Sequence, residues 1–261
     1  MNEAGMYDQF SRDYDRFVNW DARLAVEMPF LSREIAELKP ELGDTVRVLD
    51  AACGTGRHAI ALADRGSMVA GADFSPGMVE AARENANAAG QAISFKSAGF
   101  GGFTHAFGER VFDAVICLGN SLPHVLTETT LEQALGDFHR VLRPGGKLIL
   151  QNRNFDRVLA IRERWMPPET YREGNRVWVF ARFYDFNPDG RLTFNIQVLT
   201  GEDGEAFHQR VISTRLWPMK RDELVGALEK AGFKDLRLFG DLEGTAFDPE
   251  NSMNLVVTAK R

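Results

Sequence analysis

Between Val46 and Asn152 the chain alternates short apolar runs with amphipathic stretches. "VRVLDAA", "SMVAGAD", "AISFKS", "FDAVICLG" and "GKLILQN" have the length and apolar density of buried strands. The intervening "RHAIALADRG", "SPGMVEAARENANAAG" and "TTLEQALGDFHRVLRPGG" have helical periodicity, with Ser75 before Pro76 as a start signal and "RPGG" as a stop. Strands alternating with helices predict an α/β fold, a parallel sheet covered on both faces.

The flanks follow other rhythms. Phe10, Tyr14 and Phe17 share one helical face, and Leu24, Met28, Leu31, Ile35 and Leu38 form a second stripe, which Pro29 argues against reading as one unbroken helix. Residues 1–45 are therefore expected to form an N-terminal helical cap on a main domain spanning 46–261. Within that domain, "RVWVFARFYDFN", "RLTFNIQVLTG" and "FHQRVISTRLW" are separated by "PDG" and "EDGE", the turn chemistry of antiparallel hairpins. This predicts an antiparallel β insertion over residues 176–217. Val177, Val179 and Ala181 oppose Trp178, Phe180 and Arg182, so both faces carry apolar groups and the insertion should pack over a ligand pocket of the main domain rather than stand as an independent domain. A helix in "KRDELVGALEKAGF" and strands in "KDLRLFG" and "MNLVVTAKR" close the chain.

Composition narrows the function. A chain of 261 residues with 44% apolar content can bury one large core. A net charge of −6 and a pI near 5.5 argue against a protein that tracks phosphate backbones, so no nucleic-acid partner is expected. No apolar run approaches the roughly 18 residues that span a bilayer, and the charged N-terminus lacks the pattern of a secretory signal. The expectation is a cytoplasmic protein without a membrane partner. Cys53, Cys117 and the 5 scattered histidines have no metal-ligand spacing, and no disulfide is expected between the two thiols in a reducing compartment.

Candidate chemistry centres on "VLDAACGTGRHAI". Gly54, Gly56 and Ala59 fit G-x-G-x-x-[G/A], where missing side chains let a ligand reach the backbone at a helix N-terminus. Asp73 ends the next strand, 19 residues beyond Gly54, where a carboxylate can accept ribose hydroxyls. These features suit NAD and S-adenosylmethionine alike. Asp50 separates them, since its charge would repel a pyrophosphate but not an ammonium or sulfonium. A nicotinamide oxidoreductase and a non-catalytic binding protein stay open at this point.

Taken in order, "VLDAACGTG", "GADFS" and "HRVLRPGGKLIL" resemble the first, second and fifth-strand motifs of class I S-adenosylmethionine-dependent methyltransferases, over about Val46 to Arg261. The resemblance implies a Rossmann-like sheet of seven strands, the last antiparallel, and S-adenosylmethionine as cofactor. It places Asp50, Ala52, Gly54 and Gly56 on the methionine and ribose side, Asp73 on the ribose and Phe74 against adenine. It also adds Leu118, at the end of the fourth strand, to the cofactor contacts. Family members usually carry an acid after the third strand. Ala98 and Gly99 stand there in this chain, which leaves adenine to backbone groups. Arg23, in "WDARLAVE", holds the methionine carboxylate or is a solvated helix arginine.

For the acceptor, "VICLGNSLPHVL" and "RNFDRVL" resemble the glycine/sarcosine N-methyltransferase group. By that resemblance Arg153 grips the acceptor carboxylate with its planar fork. Asn120 accepts a hydrogen bond from the amine through its side-chain carbonyl. His124 is a base or a loop residue satisfied by backbone. Phe194, in "TFNIQV", stands where the glycine enzyme has a tyrosine, so sarcosine-like and dimethylglycine-like acceptors stay open. Tyr7, Tyr14, Tyr171 and Tyr184 are candidate hydroxyl donors to the pocket. The implied activity is N-methylation of a small amino acid, with N- or O-methylation of another small metabolite as the alternative.

Overall fold

The computed structural model describes residues 11, 13–38, 45–202 and 205–261. Residues 13–17 form a helical turn, and helix α1, Trp20–Ala36, follows with the side chain of Asn19 accepting the N–H of Ala22. Pro29 lies inside α1 without breaking it. It sits on the exposed face, so the carbonyl it leaves without a helical partner, that of Ala25, is also on the exposed side and can be hydrated. Met28, Phe30, Leu31 and Ile35 supply the buried face.

Strand and helix then alternate: β1 Arg47–Ala51, α2 Arg57–Ala63, β2 Met68–Asp73, α3 Pro76–Ala88, β3 Ser94–Ser97, α4 Phe103–Phe107, β4 Phe112–Cys117, α5 Glu128–Val141 and β5 Leu142–Arg153. Ser75 caps α3 by accepting the N–H of Met78. The "RPGG" segment does not lie outside regular structure. Helix α5 stops at Val141, and Leu142 already pairs with Phe112, with the irregularity absorbed between Phe112 and Ala114.

Next come α6 Phe155–Ala160, β6 Glu169–Glu173, β7 Arg176–Phe186, β8 Leu192–Glu202, β9 His208–Leu216, α7 Arg221–Lys230, β10 Lys234–Phe239 and β11 Asn254–Lys260. The main sheet has seven strands in the order β10-β11-β5-β4-β1-β2-β3, and β11 runs antiparallel to both of its neighbours. The four strands β6-β7-β8-β9 form a separate antiparallel sheet, whose first strand lies ahead of the range the hydrophobic pattern marks.

Each face of the main sheet carries its own core. Leu135, Phe138 and Val141 of α5, with Leu224 and Leu228 of α7, cover one face, and Met28, Leu31 and Leu62 cover the other. The small sheet packs Tyr184, Leu192 and Leu216 on Phe155 and Val158 of α6. Trp178, Phe180 and Ile196 pack against Tyr14 and Phe17 of the N-terminal turn. Trp217 donates its N–H to the carbonyl of Pro123 at 2.8 Å, and the guanidinium of Arg191 donates to Leu126 at 2.7 Å. The small sheet is thereby fastened to the loop after β4. Among the described residues no helix is long and apolar enough to cross a membrane.

Candidate active site

A cavity of about 640 Å³ lies at the C-terminal ends of β1, β2, β4 and β5, under the small sheet. Open α/β sheets gather ligands at this edge. The cavity has a glycine-corner end, an α1 side and an end under β7 and β8.

At the glycine corner Ala52, Gly54 and Gly56 all have positive φ, at 63°, 54° and 77°. A Cβ on Gly54 would project to 3.6 Å from the ring of Tyr14, into space the cavity uses. The carboxylate of Asp73 accepts the N–H of Gly54 at 2.9 Å on one oxygen and that of Ser75 at 2.9 Å on the other. It is thus held in place while still lining the cavity. Phe74, Ala98 and Gly99 line the same end, and a Cβ on Gly99 would meet Phe74 at 3.2 Å.

Three expected contacts fall outside the cavity wall. Gly56 caps α2, and its missing side chain admits Ala82 and Phe95, each 3.0 Å from where a Cβ would be, so it serves packing. Leu118 is buried in the core beside Met28 and Leu31. Asp50 lies beneath the floor and is 3% exposed, with one carboxylate oxygen lacking a hydrogen-bond partner. Burial, reinforced by the charge of Asp73, pushes its carboxyl up to about 7.

On the α1 side the Nε of Arg23 donates to Glu27 at 3.0 Å, and the other oxygen of Glu27 lies 2.6 Å from Nε2 of His58. Burial alone would raise the Glu27 carboxyl, but His58 and Arg23 outweigh it and the net direction is down. Burial lowers His58. Both directions describe a neutral imidazole donating to a charged carboxylate, which in turn aims Arg23 at the cavity near Gly119. Burial also raises the phenol of Tyr14.

At the acceptor end the loops after β4 and β5 are joined. Gly119 donates to the side-chain oxygen of Gln151 at 2.7 Å, and the N–H of Asn120 donates to the Gln151 carbonyl at 3.1 Å. The side-chain oxygen of Asn120 accepts the N–H of Arg153 at 2.9 Å. That carbonyl, expected to face an amine, is therefore already engaged by the backbone, although a carbonyl oxygen has a second lone pair. His124 sits in a 3-10 turn with Nδ1 3.5 Å from the Thr214 hydroxyl, and burial pushes its imidazole down to about 4. A group so weakly basic is a poor proton acceptor for an ammonium near neutral pH.

Arg153 lines the cavity and donates to Glu163 at 3.0 Å, while Glu163 also pairs with Arg157 at 2.8 Å. Arg182 enters from β7 and meets Glu169 at 3.3 Å. The Nε atoms of Arg153 and Arg182 are both buried without a hydrogen-bond partner. Tyr184 and Phe194 line this end as directly opposed residues of β7 and β8. Tyr171 lies away from the cavity, packed on Trp178, and Tyr7 lies outside the described residues.

Several lining or supporting residues are not marked by motif. Glu27 is foreshadowed by its helical spacing from Arg23, and Gln151 by sharing a strand face with Arg153. Asp15 accepts from Thr55 at 2.6 Å, Trp20 at 2.9 Å, and Arg57 and Asn85 at 3.1 Å, and no local pattern announces it.

Residues 48–146 match a family model described as a methyltransferase domain. The chain belongs to the S-adenosylmethionine-dependent methyltransferases and is an enzyme that transfers methyl groups. It is 32% identical to the glycine/sarcosine N-methyltransferase of Aphanothece halophytica, over 96% of this chain and 88% of that protein. It is 30% identical to the glycine/sarcosine N-methyltransferase of Halorhodospira halochloris, over 97% and 88%. Among solved structures it superposes on the CcbJ methyltransferase from Streptomyces caelestis with a TM-score of 0.75 and 25% identity, covering 100% of this chain and 99% of that one. The residues at the glycine corner fit the cofactor. The side-chain-free position at Gly54 leaves the backbone open on the cavity side, and the unpartnered oxygen of Asp50 lies under the same corner.

Proposed function

We propose that this enzyme methylates the amine nitrogen of a small amino acid of the glycine and sarcosine class. The observation that carries the reading is the charge at the acceptor end. Three guanidiniums, on Arg153, Arg157 and Arg182, meet two carboxylates, on Glu163 and Glu169. One positive charge is left over beside a buried Nε, and a single acceptor carboxylate balances it. The names of the two glycine/sarcosine relatives point the same way.

In this reading Asp73 holds the ribose hydroxyls, Phe74 packs on adenine, the backbone of Ala98 and Gly99 faces the adenine edge, and Arg23 takes the methionine carboxylate. S-adenosylmethionine supplies a methyl group on a cationic sulfur. Arg153 fixes the acceptor carboxylate and Asn120 holds the loop that carries it, so the amine lone pair is aimed at the methyl carbon. The amine enters deprotonated or gives its proton to solvent, because His124 is too weak a base to take it. Phe194 and Ile196 make the wall around the amine apolar, which suits an N-methyl substituent as well as hydrogen.

The test is release of S-adenosylhomocysteine with glycine, sarcosine, dimethylglycine and carboxylate-free amines offered in parallel. Turnover confined to the amino acids is expected, and it should fall in Arg153→Lys, which keeps the charge but loses the planar fork. Equal turnover of amines without an acid group overturns the reading.

A further inference from the structure

Arg182 is an unusual residue for its position. On β7 it stands between Phe180 and Tyr184 on the same strand face, and Ile196 of β8 lies directly opposite. The ring of Phe17 covers its guanidinium, 4.9 Å from the ring centre. A guanidinium among such neighbours loses much of its hydration and needs partners in return. Those it has are weak. Nη2 reaches the Pro167 carbonyl and the half-exposed Glu169 at 3.3 Å each, and Nε is buried without a partner. Burial, together with the charge of Arg153, lowers its affinity for its proton. An apolar residue would satisfy this part of the roof better, so the cation is placed there at a cost.

What it gains is a view into the cavity that Arg153 enters from the floor. Arg153 belongs to the main sheet and Arg182 to the small one. Tyr184 lines the same end of the cavity. Resting on the amino-acid reading above, we infer that Arg182 is a second acceptor-binding residue, donating to the same carboxylate that Arg153 holds. The carboxylate is then gripped from two sheets at once. The bound acid restores the partners that burial took from Arg182, and selectivity for an acid over an amide or alcohol of the same shape depends on both arginines.

The test compares wild type with Arg182→Met and Arg182→Gln, which remove the charge while filling the space differently. The first readout is the KM for sarcosine and glycine. The second is inhibition by methoxyacetate, a carboxylate without the amine, against methoxyacetamide, its uncharged counterpart. The third is S-adenosylhomocysteine affinity by calorimetry, which reports an intact fold and cofactor site. Loss of one charge-assisted contact should raise KM and weaken methoxyacetate about 10- to 100-fold. Methoxyacetamide and S-adenosylhomocysteine should change by less than about twofold. Arg153→Lys combined with Arg182→Met should lose less than the product of the single effects, because both contact one group. If the wild type methylates amino acids and either well-folded variant keeps its KM and its methoxyacetate inhibition, the role of Arg182 is overturned and the amino-acid reading stands. If the wild type methylates no amino acid, both fall.

Discussion

The side-chain oxygen of Asn120 accepts the backbone N–H of Arg153 at 2.9 Å, so two loops 33 residues apart in sequence are held as one surface. Asn120 does this from a left-handed backbone, with φ at 63°. Asn tolerates that conformation better than Ala does. Asn120→Ala is expected to cost about 1–3 kcal/mol, from the lost bond and the unpaired N–H. Asn120→Gly relieves the backbone but lacks the amide. Both variants should lose acceptor kcat/KM by tenfold or more while binding S-adenosylhomocysteine normally, with the glycine variant the more stable in thermal unfolding. Normal kcat/KM in the glycine variant would remove Asn120 from the acceptor site.

Asp73 has two duties, since it accepts the N–H groups of Gly54 and Ser75 and also faces the cavity. Asp73→Asn keeps one acceptor oxygen and the shape, whereas Asp73→Ala keeps neither. S-adenosylhomocysteine affinity, measured by calorimetry, should fall in both, by about tenfold or more in the alanine variant, which should also unfold at lower temperature. Undiminished affinity in both would contradict the ribose assignment.

In the proposed reading, where Arg23 takes the methionine carboxylate, the Glu27–His58 pair acts on the cofactor through it. Glu27→Gln removes the charge that holds Arg23 at 3.0 Å, so the guanidinium should swing and S-adenosylmethionine affinity should drop while acceptor KM at saturating cofactor stays unchanged. The folded carboxyl of Glu27 is lowered, so its stabilising contribution is present above the ordinary carboxylate range and is lost as pH falls through the lowered value. Between pH 5 and 8 the Glu27 contribution to cofactor affinity, followed by calorimetry as the difference between wild type and Glu27→Gln, should be flat, and a change common to both belongs to Asp50, whose carboxyl is pushed up to about 7. An affinity equal to wild type in Glu27→Gln would leave the pair a structural role alone.

His124 supplies an acid sensitivity. Its folded value of about 4 lies below the ordinary 6.5, so the unfolded chain takes up a proton first. Stability is complete above about pH 6.5 and declines towards pH 4, by at most about 3.5 kcal/mol at roughly 1.4 kcal/mol per pH unit. The side chain is partly exposed, which reduces that figure. Urea unfolding at pH 7.5 and pH 5 should show a smaller loss in His124→Gln than in wild type, with the remaining loss attributable in part to His58, which burial also lowers. Identical losses would show that the imidazole is hydrated in the folded protein.

The inner strands β1, β4, β5 and β11 could be read from the chain because burial on both faces makes them largely apolar runs. Strand β6 could not, since all five residues of "ETYRE" are exposed and pairing with β7 alone defines it. Pro29 misleads because a proline on the solvent side of a helix leaves its orphaned carbonyl where it can be hydrated. In the site, spacing along the chain marks Gly54, Asp73, Asn120 and Arg153. Spacing cannot separate a lining glycine from a packing one, which is why Gly56 looks equivalent to Gly54 until Phe95 is seen against it. Contacts such as Asp15 with Thr55 or Arg182 with Phe17 join elements whose approach depends on the finished fold.

Asp15 and its neighbours carry a consequence for mutation. Asp15 reaches Thr55, Arg57 and Asn85 beside the glycine corner, while Asp13 pairs with Arg210 and Phe17 packs edge-on to Phe180 in the small sheet. One short turn of chain therefore joins the glycine corner to the small sheet. Tyr14 and Phe17 of the same turn line the cavity, so a substitution there reaches the glycine corner and the small sheet at once.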